Sequence, residues 1–253
     1  MFEILKSIFD PILYIPIFNL LVFFYKLFGN NLGLAIIAIS VFVKLITYKP
    51  TLSQIEFANK QKELQPKLEK LKTKYKNQQT LAKKQMELYK EHGINPAGGC
   101  LPIIAQMIIV IPLYAVFRNI LESGGVIGEK ITSILYKFEY IKLTVGDSLN
   151  TSFLYMDLTK ADPLYVLPVL AALSQYFMSK YMMGSAKKLE KIAEKTPGKA
   201  DDMMADMQKM TAYMFPIMTL VIGITLPSGL VLYWFLSTLL SLGQYWLIRS
   251  KQK

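Results

Sequence analysis

The sequence predicts an all-α membrane protein with five transmembrane helices. Three observations carry that prediction. Apolar residues make up 53% of the chain and mean hydropathy is +0.32, yet the net charge is +11. The charge is segregated: lysines crowd into Lys49–Lys90 and Lys180–Lys209, with Arg249, Lys251 and Lys253 at the end. Between these runs lie five stretches long enough to cross a bilayer, which takes roughly 17–25 largely apolar residues.

The stretches are Leu32–Tyr48, Leu101–Phe117, Leu164–Met183, Met210–Leu226 and Gly229–Ile248. Pro227-Ser228-Gly229 alone joins the last two, so a tight turn makes them an antiparallel hairpin. The connection between the first two spans is Lys-rich, and so are the connection after Met183 and the carboxyl tail. The connection Arg118–Asp162 is nearly balanced, with a slight acidic excess. Lysine bias toward the cytoplasm therefore places residues 51–94 and 184–209 inside, residues 118–162 outside and the C-terminus inside. The N-terminal side of the first span is then outside.

Residues 1–30 precede this core of residues 31–253. Ile8–Phe28 is apolar enough to span, but Pro11 and Pro16 interrupt it and Asn19 sits within it. An interfacial helix on the outer face is the favoured reading. A sixth span stays open, and so does a signal sequence, although no small-residue cleavage site follows.

Composition narrows the function classes. A single cysteine, Cys100, rules out an intramolecular disulfide, and His92 stands alone without a metal-ligand cluster. No glycine-rich phosphate loop is present, so no nucleotide or other cofactor is expected. The basic excess borders membrane segments, so topology and anionic lipid account for it without nucleic acid.

Thr51–His92 reads as a helical hairpin. Leu64, Leu68 and Leu71 form one apolar stripe, and Leu81, Leu88 and Tyr89 a second, with Asn77-Gln78-Gln79 as the turn. Gly93 is the expected C-cap, before Asn95-Pro96. The stripes are thin, so weak docking and mobility are expected. Two roles are open: a plain connection, or an arm for clients and partners.

Polar residues inside the spans are the candidate site. Lys44 lies in an apolar run, with Ser40 one turn before it and Tyr48 one turn after, a stripe on one helix face. A charge at mid-bilayer costs about 2.5–3.5 kcal/mol on insertion scales, so it faces water or a partner. Lys49 is five residues away, about 7.5 Å along a helix axis, so snorkelling to the interface stands beside that reading. The last span carries Trp234, Ser237, Ser241 and Gln244 on one face, the third Gln175 and Ser179, and the second Gln106. Singly, such residues usually join helices; together with Lys44 they suggest a shared wet cavity of positive potential. An anion transporter or channel binding solute at Lys44 stays open, although no inverted repeat or paired broken helices is visible. So does a structural subunit of a membrane complex.

Three segments in register carry a family resemblance: YKEHGINPAGGCLPIIAQM (Tyr89–Met107), LPSGLVLYW (Leu226–Trp234), and LGLAIIAISVFVKLITYKPTLSQ leading into LQPKLEKLKTKYK. From about Phe18 to Ile248 the chain resembles the YidC-type membrane protein insertases of the Oxa/Alb group. The resemblance implies a five-helix insertase core with a hydrophilic groove open to the cytoplasm and lipid. An interfacial helix precedes that core, and a cytoplasmic hairpin projects from it. It implies a non-enzyme whose partners are nascent membrane proteins and lipid, with the ribosome and a Sec-type translocon as further candidates. With no Arg/Ser-rich transit peptide before the core, the bacterial inner membrane is the simplest location, and an organellar or archaeal setting stays open. Lys44 occupies the position of the family's groove arginine; lysine keeps the charge and loses the planar bidentate fork. Tyr233 and Trp234 match the family's aromatic pair beside passing clients. Met107 and Val110 match client-facing positions, Val110 in place of a larger aromatic. The tail after Ile248 is Arg249-SKQK, without the long basic extension that helps some relatives hold ribosomes, which counts against tail-mediated ribosome binding.

Overall fold

The computed structural model describes residues 10–75, 77–93, 101–122, 125–183 and 213–251. Helices dominate. A π-helical turn at Asp10–Tyr14 runs into α1 (Ile15–Leu27), and then come α2 (Leu32–Ile46), α3 (Tyr48–Lys74), α4 (Gln78–Glu91) and α5 (Leu101–Glu122). After a looped region with the two-residue strands β1 (Ser152–Phe153) and β2 (Met156–Asp157) come α6 (Val166–Met183), α7 (Phe215–Thr225) and α8 (Ser228–Lys251). By length and composition, Asp10–Leu27 and Ser228–Ile248 suffice to cross a membrane, and α2 and α7 are shorter apolar helices.

The core gathers α1, α2, α5, α6 and α8 with the 125–165 region. Ile36, Ile39, Leu113, Val116, Leu158, Ala171 and Tyr233 are all buried in it. Helix α8 is central, packing on α6, α2 and α5, while α7 lies against α6.

Local chemistry sets the boundaries. Gly29 and Asn30 take positive φ of 66° and 60° to turn the chain between α1 and α2, and the Asn31 side chain caps α2 by accepting from the Leu34 N–H at 3.0 Å. The first expected span stops at Ile46, because Pro50 has no N–H to give the Ile46 carbonyl. Thr47 makes the break at φ −84°, ψ 11°, and Tyr48 opens the next helix instead of extending the Ser40–Lys44 stripe. Asn77 begins α4 as its N-cap, accepting from the Gln79 and Thr80 N–H groups. Gly93 follows the C-cap His92 with φ 63°, the left-handed geometry that glycine permits. Residues 210–212 and the whole 184–209 connection lie outside the described residues.

Helices α3 and α4 pack through Leu64, Leu68, Leu88 and Tyr89, with Leu71 half-buried. The root of α3 is fastened more firmly than the thin stripes suggest. Ile55 meets Tyr245 and Ile248 of α8, with Leu52 beside them.

The 125–165 region is tied down along the bundle. Asn19 of α1 donates to the Ile134 carbonyl at 2.9 Å and accepts from the Tyr136 N–H at 2.7 Å. Tyr25 accepts from the Asn150 N–H at 2.8 Å. Phe153 covers Gly33 so closely that any Cβ there would overlap its ring. Asp162, buried, accepts from the Leu164 and Leu167 N–H groups and the Tyr155 hydroxyl, capping α6. The Ser228 hydroxyl reaches the Asp157 and Lys160 carbonyls at 2.9 and 2.6 Å, which joins the start of α8 to the β2 turn.

Candidate functional site

Lys44 reaches across to α8 instead of out along its own helix. Its ammonium donates to Ser241 Oγ at 2.7 Å, and Ser241 in turn donates to the Ser237 carbonyl at 2.9 Å. One turn further along α8, Gln244 Nε2 donates to the Lys44 carbonyl at 3.1 Å. Lys44 is half-buried as a whole residue. These side chains meet because Ser237, Ser241 and Gln244 recur on one face of α8, and α2 packs against it.

Gln244 Oε1 is buried with no hydrogen-bond partner among the described residues. An amide that donates to a backbone carbonyl and keeps an unsatisfied acceptor is suited to a water or to a passing N–H. The site therefore holds a cation, a hydroxyl and an unsatisfied amide oxygen between two helices. That inventory can hydrate and attract polar or acidic chain. The described residues contain no group of three or more potential metal ligands.

The other expected site residues fall in different places. Ser40 is buried, and its hydroxyl is committed to the Ile36 carbonyl of its own helix at 2.6 Å. A hydroxyl bonded back to the i−4 carbonyl packs the helix and leaves little to offer a client. Ser237 and Ser179 are also buried, and Gln175 is half-buried on α6. Among the described residues, the hydrogen bonds around Lys44 do not extend to Gln175 or Ser179. Tyr233 is 0% exposed inside the core, whereas its neighbour Trp234 and Val110 of α5 are half-buried. The side chains of Gln106 and Met107 lie outside the described residues.

Sequence reasoning placed Gln244 on the polar face but did not see that it grips the Lys44 backbone. It also missed Asp162, whose partners are the nearby Tyr155, Leu164 and Leu167, and the close seat of Phe153 on Gly33, which depends on a contact distant in sequence. Asn19 was visible only as an interruption in an apolar stretch; its three side-chain hydrogen bonds serve the 125–165 region and the Ile15 carbonyl.

Comparison with known proteins finds relatives over nearly the whole chain. Residues 23–253 fit the family described as 60Kd inner membrane protein. The chain is 37% identical over 223 residues to the membrane protein insertase YidC of Fusobacterium nucleatum, covering 88% of each chain. It is 31% identical to the membrane protein insertase MisCA of Bacillus subtilis, over 95% of this chain and 79% of that one. It is 29% identical to the membrane protein insertase YidC 2 of Bacillus anthracis, over 94% and 79%. With a polar, lysine-centred seam between α2 and α8 and a family match over nearly its whole length, the chain belongs to the 60Kd inner membrane protein family, that of the YidC-type membrane protein insertases.

Proposed function

We propose that this chain is a membrane protein insertase that takes polar segments of nascent membrane proteins into a hydrophilic groove and releases their apolar helices to lipid. The observation that carries the mechanism is the inward turn of Lys44 onto Ser241. A snorkelling lysine extends toward the headgroups; this one holds its charge between helices, where its field acts on whatever enters.

Polar groups in bare hydrocarbon cost several kcal/mol each, and a wet, hydrogen-bonding groove lowers that cost. In this reading the client's acidic or polar segment takes over the Lys44 ammonium from Ser241. The Gln244 amide oxygen offers a further contact. Its apolar helix passes over the lipid-facing side of α5 and α8, around Met107, Val110 and Trp234, with Tyr233 as the packed support behind. The client's own hydrophobicity drives release, and no bond is made or broken.

The proposed topology has five spans (α2, α5, α6, α7 and α8) in a bacterial inner membrane, with α3–α4 and residues 184–209 cytoplasmic and residues 118–162 external. Helix α1 is assigned to the outer interface. Along its length Tyr14, Asn19 and Tyr25 bond, in order, to Asn119 at the end of α5, to Ile134 and Tyr136, and to Asn150. A helix crossing from one face to the other touches an external connection at one end only, whereas α1 meets it repeatedly. The ribosome and a Sec-type translocon are the partners proposed for the lysine-rich cytoplasmic side.

Reconstitution into liposomes with a small single-span client tests this, with protease-protected insertion scored for wild type, Lys44→Arg and Lys44→Ala. Insertion by the first two and loss in the third is the expected result. Equal insertion by all three removes Lys44 from the mechanism.

A further inference from the structure

The external connection contains a feature that insertion does not use. Tyr136, Phe138 and Tyr140 are 43%, 65% and 52% exposed, while Ile141 and Leu143 of the same segment are buried at 3% and 6%. The buried pair and the Asn19–Tyr136 bond fix the backbone, so the three rings are held outward rather than left to collapse. The Tyr140 ring lies 5.6 Å from Phe23 of α1, which is itself 39% exposed, and so the apolar surface runs on from the loop to the helix. Beside the rings is a cavity of about 270 Å³, lined among others by Tyr136, Lys137, Phe138, Glu139, Lys142 and Leu143.

Exposed aromatic rings flanked by lysines suit the membrane–water boundary, where rings sit at headgroup level and ammoniums meet phosphate. The cavity adds selectivity. Lys137 and Lys142 offer two cations. Glu139, 3.5 Å from the Lys142 ammonium, offers a carboxylate able to accept from a hydroxyl. A phosphate alone gains nothing from that carboxylate, whereas a phosphodiester bearing a hydroxylated headgroup uses both charges.

We propose that the Tyr136–Leu143 segment is a lipid-binding site for an anionic, hydroxyl-bearing phospholipid of the phosphatidylglycerol class in the outer leaflet. The lysines hold the phosphate, Glu139 the headgroup hydroxyl, and the rings the acyl boundary. This rests on the reading above that residues 118–162 are external and α1 interfacial. The bound lipid fastens the outer end of the bundle beside α1.

The test uses full-length protein in phosphatidylcholine vesicles doped with photoactivatable phosphatidylglycerol or, in parallel, photoactivatable phosphatidylcholine. Crosslinks are mapped by mass spectrometry, with and without excess inorganic phosphate. The expected result is labelling of residues 136–143 by phosphatidylglycerol above phosphatidylcholine, unaffected by phosphate. The preference should fall about fivefold for each of Lys137→Gln and Lys142→Gln, at roughly 1 kcal/mol per lysine near an anionic surface. Both lysines are exposed, so these variants keep the fold. Equal labelling by the two lipids overturns the headgroup site, and competition by phosphate replaces it with a free-anion site. Labelling of α1 without the segment overturns the proposal and leaves the interfacial reading standing; labelling of neither removes that reading as well.

Discussion

Lys44 of α2 and Ser241 of α8 are 197 positions apart in sequence, and their side chains meet at 2.7 Å. The bond does two things at once. It joins two helices, and it keeps a charge inside the bundle where a client could displace its partner. Hydrogen bonds between membrane helices average about 0.6 kcal/mol and reach about 1.7, so Ser241 holds Lys44 loosely enough to let go.

That weakness is measurable. A double-mutant cycle of Lys44→Met and Ser241→Ala on thermal unfolding in detergent should give a coupling of about 0.6–1.7 kcal/mol. Ser241→Ala alone should retain insertion of clients with acidic external tails, because the ammonium stays in place. A coupling near zero would mean that the two side chains do not meet in the folded protein.

A tighter contact closes the other end of α2. Gly33 is buried beneath the Phe153 ring, with no room for a Cβ. Gly33→Ala should destabilise by about 1–3 kcal/mol, the usual cost of overpacking. Phe153→Leu in the same chain should recover part of that loss. Additive losses in the double variant would show that the ring does not sit on this glycine.

These two contacts mark how far the sequence could be read. Helix positions, the α7–α8 turn, the apolar stripes of α3 and α4, and the polar face of α8 follow from periodicity and charge, which are local. The Lys44–Ser241 pair was legible only as two polar stripes, because nothing local says which helices adjoin. Ser40 looked equivalent to Lys44 by spacing, yet its hydroxyl turns back to Ile36. A serine on an apolar helix can always satisfy itself in this way, whereas a lysine cannot. Tyr233 and Trp234 are adjacent in sequence and differ in burial, since successive helix residues point about 100° apart. Gly33 and Asn19 were not legible because Phe153, Ile134 and Tyr136 lie more than a hundred residues away in the 125–165 region, where period carries no information.

One of those irregular segments responds to acid. Burial alone would raise the Asp157 carboxyl, but hydrogen bonds from the Thr159 hydroxyl and N–H, from Thr151 and from Lys160 outweigh it. The group falls from 3.8 to about 2. A carboxyl depressed in the folded state contributes stability that is fully present above its unfolded value. That contribution therefore fades as pH falls from 3.8 toward about 2. Asp157 shapes the turn whose carbonyls receive Ser228, so its protonation should loosen the start of α8. Thermal scans across that window should show a falling midpoint for wild type and a shallower fall for Asp157→Asn. Asp147, also held low by Thr144, supplies part of the remaining slope. Identical slopes would remove Asp157 as the source.

The α3–α4 pair should separate into two energetic regions. Among the described residues Leu68 clusters with Leu64, Leu88 and Tyr89 of the pair, whereas Ile55 packs against Tyr245 and Ile248 of the bundle. Leu68→Ala should therefore speed hydrogen exchange across residues 60–90 and shift the unfolding of the bundle by less than about 0.5 kcal/mol, as expected for distant sites. Ile55→Ala should cost the bundle about 2–5 kcal/mol, the range for truncating a buried isoleucine. The physical reason is where each cavity opens. A void at Leu68 can be relieved by parting two amphipathic helices in water, while a void at Ile55 is held open by α8. If Leu68→Ala lowered the bundle's midpoint as far as Ile55→Ala, the pair would be a rigid extension of the core rather than an arm rooted at one contact.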